Sequence, residues 1–121
     1  MRIAEISDLT GLSIDTIRFY DKSGMLPDLP RDARGWRCFT GAAREWLEIL
    51  GHLRRTGMPT EDMRAFASSV HGPGSDDKTE HAKRLDILRR HAERLIAQRK
   101  QIEACEAYLN HKISIYSEEL T

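Results

Sequence analysis

Cysteine is scarce in this chain of 121 residues: Cys38 and Cys105 are too few and too far apart to form a disulfide framework. No Cys-x-x-Cys or Cys/His cluster offers the ligand spacing of zinc, so both are expected as reduced thiols. No run of 18 apolar residues exists, which argues against a membrane span, and the N-terminus lacks the basic, apolar and small-residue succession of a secretory signal. A cytoplasmic protein is expected. Net charge is missing too, with 19 basic residues against 19 acidic ones, ten of each in residues 1–70 and nine of each in 71–121. Global electrostatics therefore gives no support for nucleic acid, and only local clusters can carry such a claim. There is no Gly-rich phosphate loop, nucleophile elbow or paired metal-ligand motif, and the five histidines are scattered. The chain reads as a non-enzyme without a cofactor.

The first 26 residues do have a pattern. Ile3, Ile6 and Leu9 recur at a spacing of three, which predicts a short helix with one buried stripe. Gly11 supplies the permissive backbone of a tight turn, and Ser13 is an N-cap for a second helix with Asp15 in its first turn. In that second helix, "SIDTIRFYDKSGML", Ile17 and Tyr20 are predicted to face the core, while Thr16, Arg18 and Phe19 lie toward the other side. Gly24 ends it, and Pro27 and Pro30 keep it ended. Two short helices across a glycine turn make a helix-turn-helix candidate, although a core-forming helical hairpin has the same signature.

The next segment, "RDARGWRCF" (residues 31–39), has a turn at Arg34-Gly35 and reads as a small β-hairpin. Thr40 should cap a third helix with Ala43, Trp46, Leu47, Leu50 and Leu53 on one face, stopped at Gly57. A fourth, short helix from Pro59-Thr60 aligns Met63, Phe66, Ala67 and Val70, and "HGPGSDDK" (71–78) is the clearest linker. Thr79 to Ser117 contains neither Gly nor Pro. With Leu85 as heptad position a, the d positions Leu88, Leu95, Ile102, Leu109 and Tyr116 are all apolar, and the a positions are Leu85, Ala92, Arg99, Glu106 and Ile113. A helix of about 38 residues is about 57 Å long and wants a partner helix.

A second copy is the simplest partner. Run antiparallel about a centre near residue 97, two copies pair Leu85 with Leu109, Ala92 with Ile102, and Leu95 with the stem of Arg99. Cys105 then falls beside the partner's Arg89, away from the second Cys105. A parallel coil would stack Arg99 on Arg99 and Glu106 on Glu106, so the antiparallel pairing is favoured. The expected architecture is mainly α: a winged helix-turn-helix unit over 1–70, a linker over 71–78, and a coiled-coil dimerisation helix with a short tail over 79–121.

The hairpin sharpens the functional reading. Arg31, Arg34 and Arg37 bracket a tight turn with Trp36 among them, and Asp32 is the only acid between residues 31 and 37. Guanidinium groups pair well with phosphate, and such backbone contacts position a reading helix without carrying sequence information. A coiled-coil adaptor, with a protein-binding helical lobe and solvated arginines, is the competing class. Salt separates the two, because counterion release weakens DNA binding steeply whereas an apolar groove contact is insensitive.

"IAEISDLTGLSIDTIRFYDKSGMLP", "GWRCF" and "LRRTGMPTEDMR" resemble the motifs "TIRYYE", "GYR.Y" and "LR..G....EI" of the MerR family of bacterial transcriptional regulators, over about residues 1–70. The long helix resembles the family's antiparallel dimerisation coil. The resemblance implies a homodimer on a pseudo-palindromic operator in promoter DNA. It also implies distortion of an overlong spacer, so that bound effector would convert repression into activation by RNA polymerase. It further implies that Thr16 and Arg18 face the major groove and that Tyr20 supports or touches the backbone beside them. Arg31, Trp36 and Arg37 would be wing residues gripping phosphates, and Arg54 another backbone contact. Asp15 departs from the usual polar donor; an acid there repels phosphate or accepts from a cytosine amino group. Trp36 replaces Tyr, and its indole N–H is the remaining donor.

The effector is less legible. Metal-sensing branches resemble one another in placing Cys at the start of the long helix and in a following loop, where this chain has Lys78-Thr79 and Ser117 to Thr121. A soft-metal site is not expected, nor is the appended domain of the drug-binding branches. The "LRRTGM" context and "YLNHKISIY" resemble the small-C-terminus branch that responds to aldehyde or nitrosative stress through one thiol, but His52 stands where that thiol precedes "LR". The candidate effector or redox residues are therefore Cys38, Cys105 and His52, against simple packing for Cys38 and a hydrogen-bonded boundary role for His52. A second stripe of Cys105, Tyr108 and Ile115 marks either packing against the partner's DNA-binding lobe or an effector pocket.

Overall fold

The computed structural model describes residues 1–121. It contains five helices and no strands: α1 (Ile3–Thr10), α2 (Ile14–Lys22), α3 (Gly41–Arg55), α4 (Thr60–His71) and α5 (Lys78–Glu119). No helix is long and apolar enough to cross a membrane. The chain divides into two units, Met1–Ile87 and Leu88–Thr121.

Local chemistry sets the helix boundaries of the first unit. The Ser13 hydroxyl accepts from the Thr16 N–H at 3.1 Å, and the Thr40 hydroxyl accepts from Ala43 N–H at 3.1 Å, each satisfying an orphan donor of the first turn. Gly11, at φ 74°, closes α1 by donating to Ser7 O. Helices α2 and α3 end by one repeated device. In "SGM", Gly24 N–H donates to Asp21 O and Met25 N–H to Tyr20 O; in "TGM", Gly57 N–H donates to Arg54 O and Met58 N–H to Leu53 O. Both glycines have positive φ, both patterns are Schellman stops, and both deliver a methionine into the core.

The core follows the predicted faces. Ile6, Ile17, Tyr20, Leu47, Leu50 and Met63 are buried with Trp46, Phe66 and Ala67. Trp46 is the hinge of this packing: its ring stacks on Phe66 at 5.4 Å, and its indole N–H donates to Met25 O at 2.7 Å, so the stop of α2 is bonded directly to α3. The His71 ring meets Trp46 edge-on at 4.5 Å, and desolvation there lowers the imidazole below its ordinary pKa. The start of α5 belongs to this unit as well. Ser69 Oγ donates to Glu80 O, Arg84 bonds Ser69 Oγ and the Ser75 carbonyl, and Ile87 is buried.

The expected β-hairpin over 31–39 is corrected. Only one isolated antiparallel bridge forms, between Arg31 and Arg37. The cause lies in the partners taken by its flanks: Cys38 N–H donates to Pro30 O, but Phe39 N–H turns to Met1 O, and Pro30 has no N–H to extend a ladder. Backbone and side chain hold the tip together: Asp32 N–H donates to Trp36 O at 2.8 Å and Gly35 N–H to Asp32 O at 2.9 Å, while Asp32 Oδ1 accepts from Arg34 N–H at 2.9 Å and Trp36 N–H at 3.0 Å. The element is a short wing centred on Asp32.

The second unit is helix alone. Leu88 and Leu95 are exposed on it, and Ile102, Leu109, Ile113 and Tyr116 are each more than half exposed.

Two glycines separate backbone strain from space. Gly24 lies at φ 74° with nothing within 4 Å of an added Cβ, whereas Gly41 is equally open but has no positive φ. Gly24→Ala is expected to destabilise by about 1–2 kcal/mol, and Gly41→Ala to stabilise by about 0.4–1 kcal/mol, read as opposite shifts of the urea midpoint.

Candidate nucleic-acid interface

The burial of Ile17 and Tyr20 fixes the roll of α2 and turns Asp15 and Arg18 to solvent. Arg18 is exposed and holds no ion pair. Thr16 lies beside it, half-buried, with its hydroxyl accepting from Ser13 Oγ at 2.8 Å.

Against the same side of α2 stands the wing. A cleft of about 640 Å³ opens between them, lined by Arg18 and Asp21 of α2, by Arg31, Trp36 and Arg37 of the wing, and by Arg2 before α1. Four of the seven residues predicted to meet DNA, Arg18, Arg31, Trp36 and Arg37, thus converge on one space. Arg31 Nη1 donates to Gly35 O at 2.7 Å, which braces the wing from within. Arg37 reaches across the cleft to Asp21 Oδ1 at 3.1 Å, both side chains about one-third exposed, and so ties wing to helix. Arg2 lies over the half-exposed Trp36 ring, 4.2 Å from its centroid. Arg54, at the end of α3, lies outside this lining with its guanidinium over Phe19 at 5.1 Å and Tyr20 at 5.9 Å.

The Tyr20 side chain is fully buried and its hydroxyl has no hydrogen-bond partner, so it supports α2 from beneath. The helical period that faces Arg18 outward faces Tyr20 inward.

The effector candidates are dispersed. Cys38 is half-buried in the wing with Sγ 3.9 Å from Trp36 O, and Cys105 is exposed on α5. His52 Nδ1 lies 3.0 Å from Arg55 Nη2, beside a small recess that Thr10 and Glu48 also line. No group of three His, Cys, Asp or Glu side chains converges to hold a metal ion. Sequence reasoning passed over Arg2 and the Asp21–Arg37 tie. Arg2 sits 34 positions before the Trp36 it joins, and nothing local announces the pairing.

A helix-turn-helix with an arginine-lined cleft between its second helix and a wing defines a DNA-binding protein. Residues 1–69 match the model of the MerR HTH family of regulatory proteins, and the chain belongs to that family. It is similar to an uncharacterized HTH-type transcriptional regulator of Haemophilus influenzae, 33% identical over 93% of this chain and 81% of the relative. It is also similar to the HTH-type transcriptional regulator CueR of Escherichia coli, 27% identical over 86% of this chain and 79% of CueR. Among solved structures it resembles HiNmlR, a MerR family regulator lacking the sensor domain, bound to promoter DNA. The TM-score is 0.85 at 29% identity, covering 97% of this chain and 86% of that one. The chain is a MerR-family transcriptional regulator that binds DNA.

The supporting role of Tyr20 is testable. Tyr20→Phe removes a buried hydroxyl without a partner, so stability is expected to hold or to rise by about 1 kcal/mol, with DNA affinity unchanged. Thermal melts and fluorescence anisotropy check both, and a loss of affinity would restore Tyr20 as a contact.

Proposed function

We propose that the protein acts as a homodimer on a pseudo-palindromic promoter operator. The α2 helix reads the major groove through Thr16 and Arg18; Arg31, Trp36 and Arg37 of the wing hold the adjacent backbone, and Arg54 supplies a further backbone contact. The observation that carries this reading is the single cleft shared by Arg18 on the reading helix and by Arg31 and Arg37 on the wing. Base contact and phosphate contact are then made by one rigid unit, which is what sequence-specific docking needs. With half-sites held by two such units, the spacer between them is bent or untwisted at a cost set by its deformability, and RNA polymerase meets the distorted promoter.

The dimer rests on the second unit. A stripe of Leu88, Leu95, Ile102, Leu109, Ile113 and Tyr116 exposed along one helix asks for cover, and an antiparallel second copy centred near residue 97 covers it and sets Leu85 against Leu109.

Two experiments test these proposals. Binding to the intergenic DNA upstream of its own gene, measured across a salt series, should separate two roles. Arg18→Ala is expected to flatten sequence preference, costing about 1–3 kcal/mol on the best site. Arg37→Ala is expected to lower the salt slope by about 0.9 for each protomer. If neither changes binding, the adaptor reading replaces this one. For the dimer, Leu85→Lys and Leu109→Glu should each shift the sedimentation profile toward monomer, and the double variant should recover dimer because the antiparallel register sets the new lysine against the new glutamate. A double variant that stays monomeric refutes the register.

A further inference from the structure

We infer that Arg2 is a phosphate-gripping residue of this interface, placed for a DNA phosphodiester by the Trp36 ring. The inference rests on reading the cleft as the DNA-binding surface and adds a contact from outside both the reading helix and the wing.

Several observations converge on it. Residue 2 is the N-cap of α1 with an extended backbone, and its guanidinium, which carries only donors, takes no part in capping that helix. Its backbone position is fixed from the preceding residue: Met1 N donates to Phe39 O at 2.9 Å, and Phe39 N–H donates back to Met1 O. The side chain is thus delivered into the cleft at a set point, where its guanidinium carbon lies over the Trp36 ring at 4.2 Å from the centroid. A guanidinium stacked on a ring uses its face and leaves its in-plane N–H donors free. Asp32 Oδ2 stands 3.7 Å away, an ion pair that steers the charge but is too long for a hydrogen bond. Arg2 therefore arrives oriented, with hydrogen-bond donors to spare.

The charge of the cleft points the same way. Four guanidinium groups line it against two nearby carboxylates, Asp21 engaged by Arg37 and Asp32 beside Arg2, which leaves an excess of positive charge. Mutual repulsion among the remaining cations is relieved by an anion, and a phosphodiester oxygen accepts from in-plane guanidinium donors in the favoured geometry. This assignment also explains Trp36 in its exposed position: the ring is a platform that orients Arg2, in addition to any contact of its own.

The test uses the full chain with two duplexes, the intergenic DNA upstream of its gene and an unrelated duplex of equal length, and reads the slope of log affinity against log salt. Arg2→Gln keeps the stem over the ring and removes the charge. It should reduce the slope by about 0.9 per protomer and weaken both duplexes by a similar factor. Arg2→Lys should keep the wild-type slope. If Arg2→Gln leaves the slope unchanged while wild type binds normally, Arg2 does not touch phosphate and the inference falls alone. Equal slope losses in Arg2→Gln and Arg2→Lys also overturn it, since the arginine would then serve only to place the wing. Wild-type binding that is absent or insensitive to salt takes down the interface reading together with this one.

Discussion

The roll of α2 about its own axis is the constraint on which the rest of this molecule depends. Ile17 and Tyr20 lie three residues apart and are both fully buried, which leaves one orientation for nine residues of helix. Arg18 must then point outward. The Schellman stop at Gly24 ends α2 where Asp21 can still reach the wing, and the Trp46 indole bonds the carbonyl of the stop to α3. A substitution that rotated α2 by one residue would bury Arg18 and expose Tyr20, removing core and reading face together.

Much of this was legible in the sequence because it is written locally. Caps and stops depend on residues within four positions of each other, so Ser13, Thr40, Gly24 and Gly57 announced their roles. The faces of α2, α3 and α4 follow from spacings of three and four. The wing misled for a physical reason: the succession of Trp36, Cys38 and Phe39 suits a strand, but strand formation needs a partner, and Phe39 found its partner at Met1. The Arg2–Trp36 stack and the Asp21–Arg37 tie are pairings across the fold, and a single sequence holds no record of them.

Electrical neutrality and DNA binding are compatible here because charge is sorted in space. Ten cations and ten anions occupy residues 1–70, yet four arginines gather around one cleft while most acids face elsewhere. A neutral chain has little long-range attraction for nucleic acid, so its interactions depend on close approach by the cleft itself.

The two tryptophans stand in opposite surroundings. Trp46 is enclosed by Phe66, His71 and the Met25 carbonyl, whereas Trp36 is half-exposed beneath a guanidinium at the mouth of the cleft. Indole emission shifts with the polarity around the ring, so the chain carries two intrinsic optical probes of different colour. One follows the integrity of the fold, and the other responds to whatever enters the cleft.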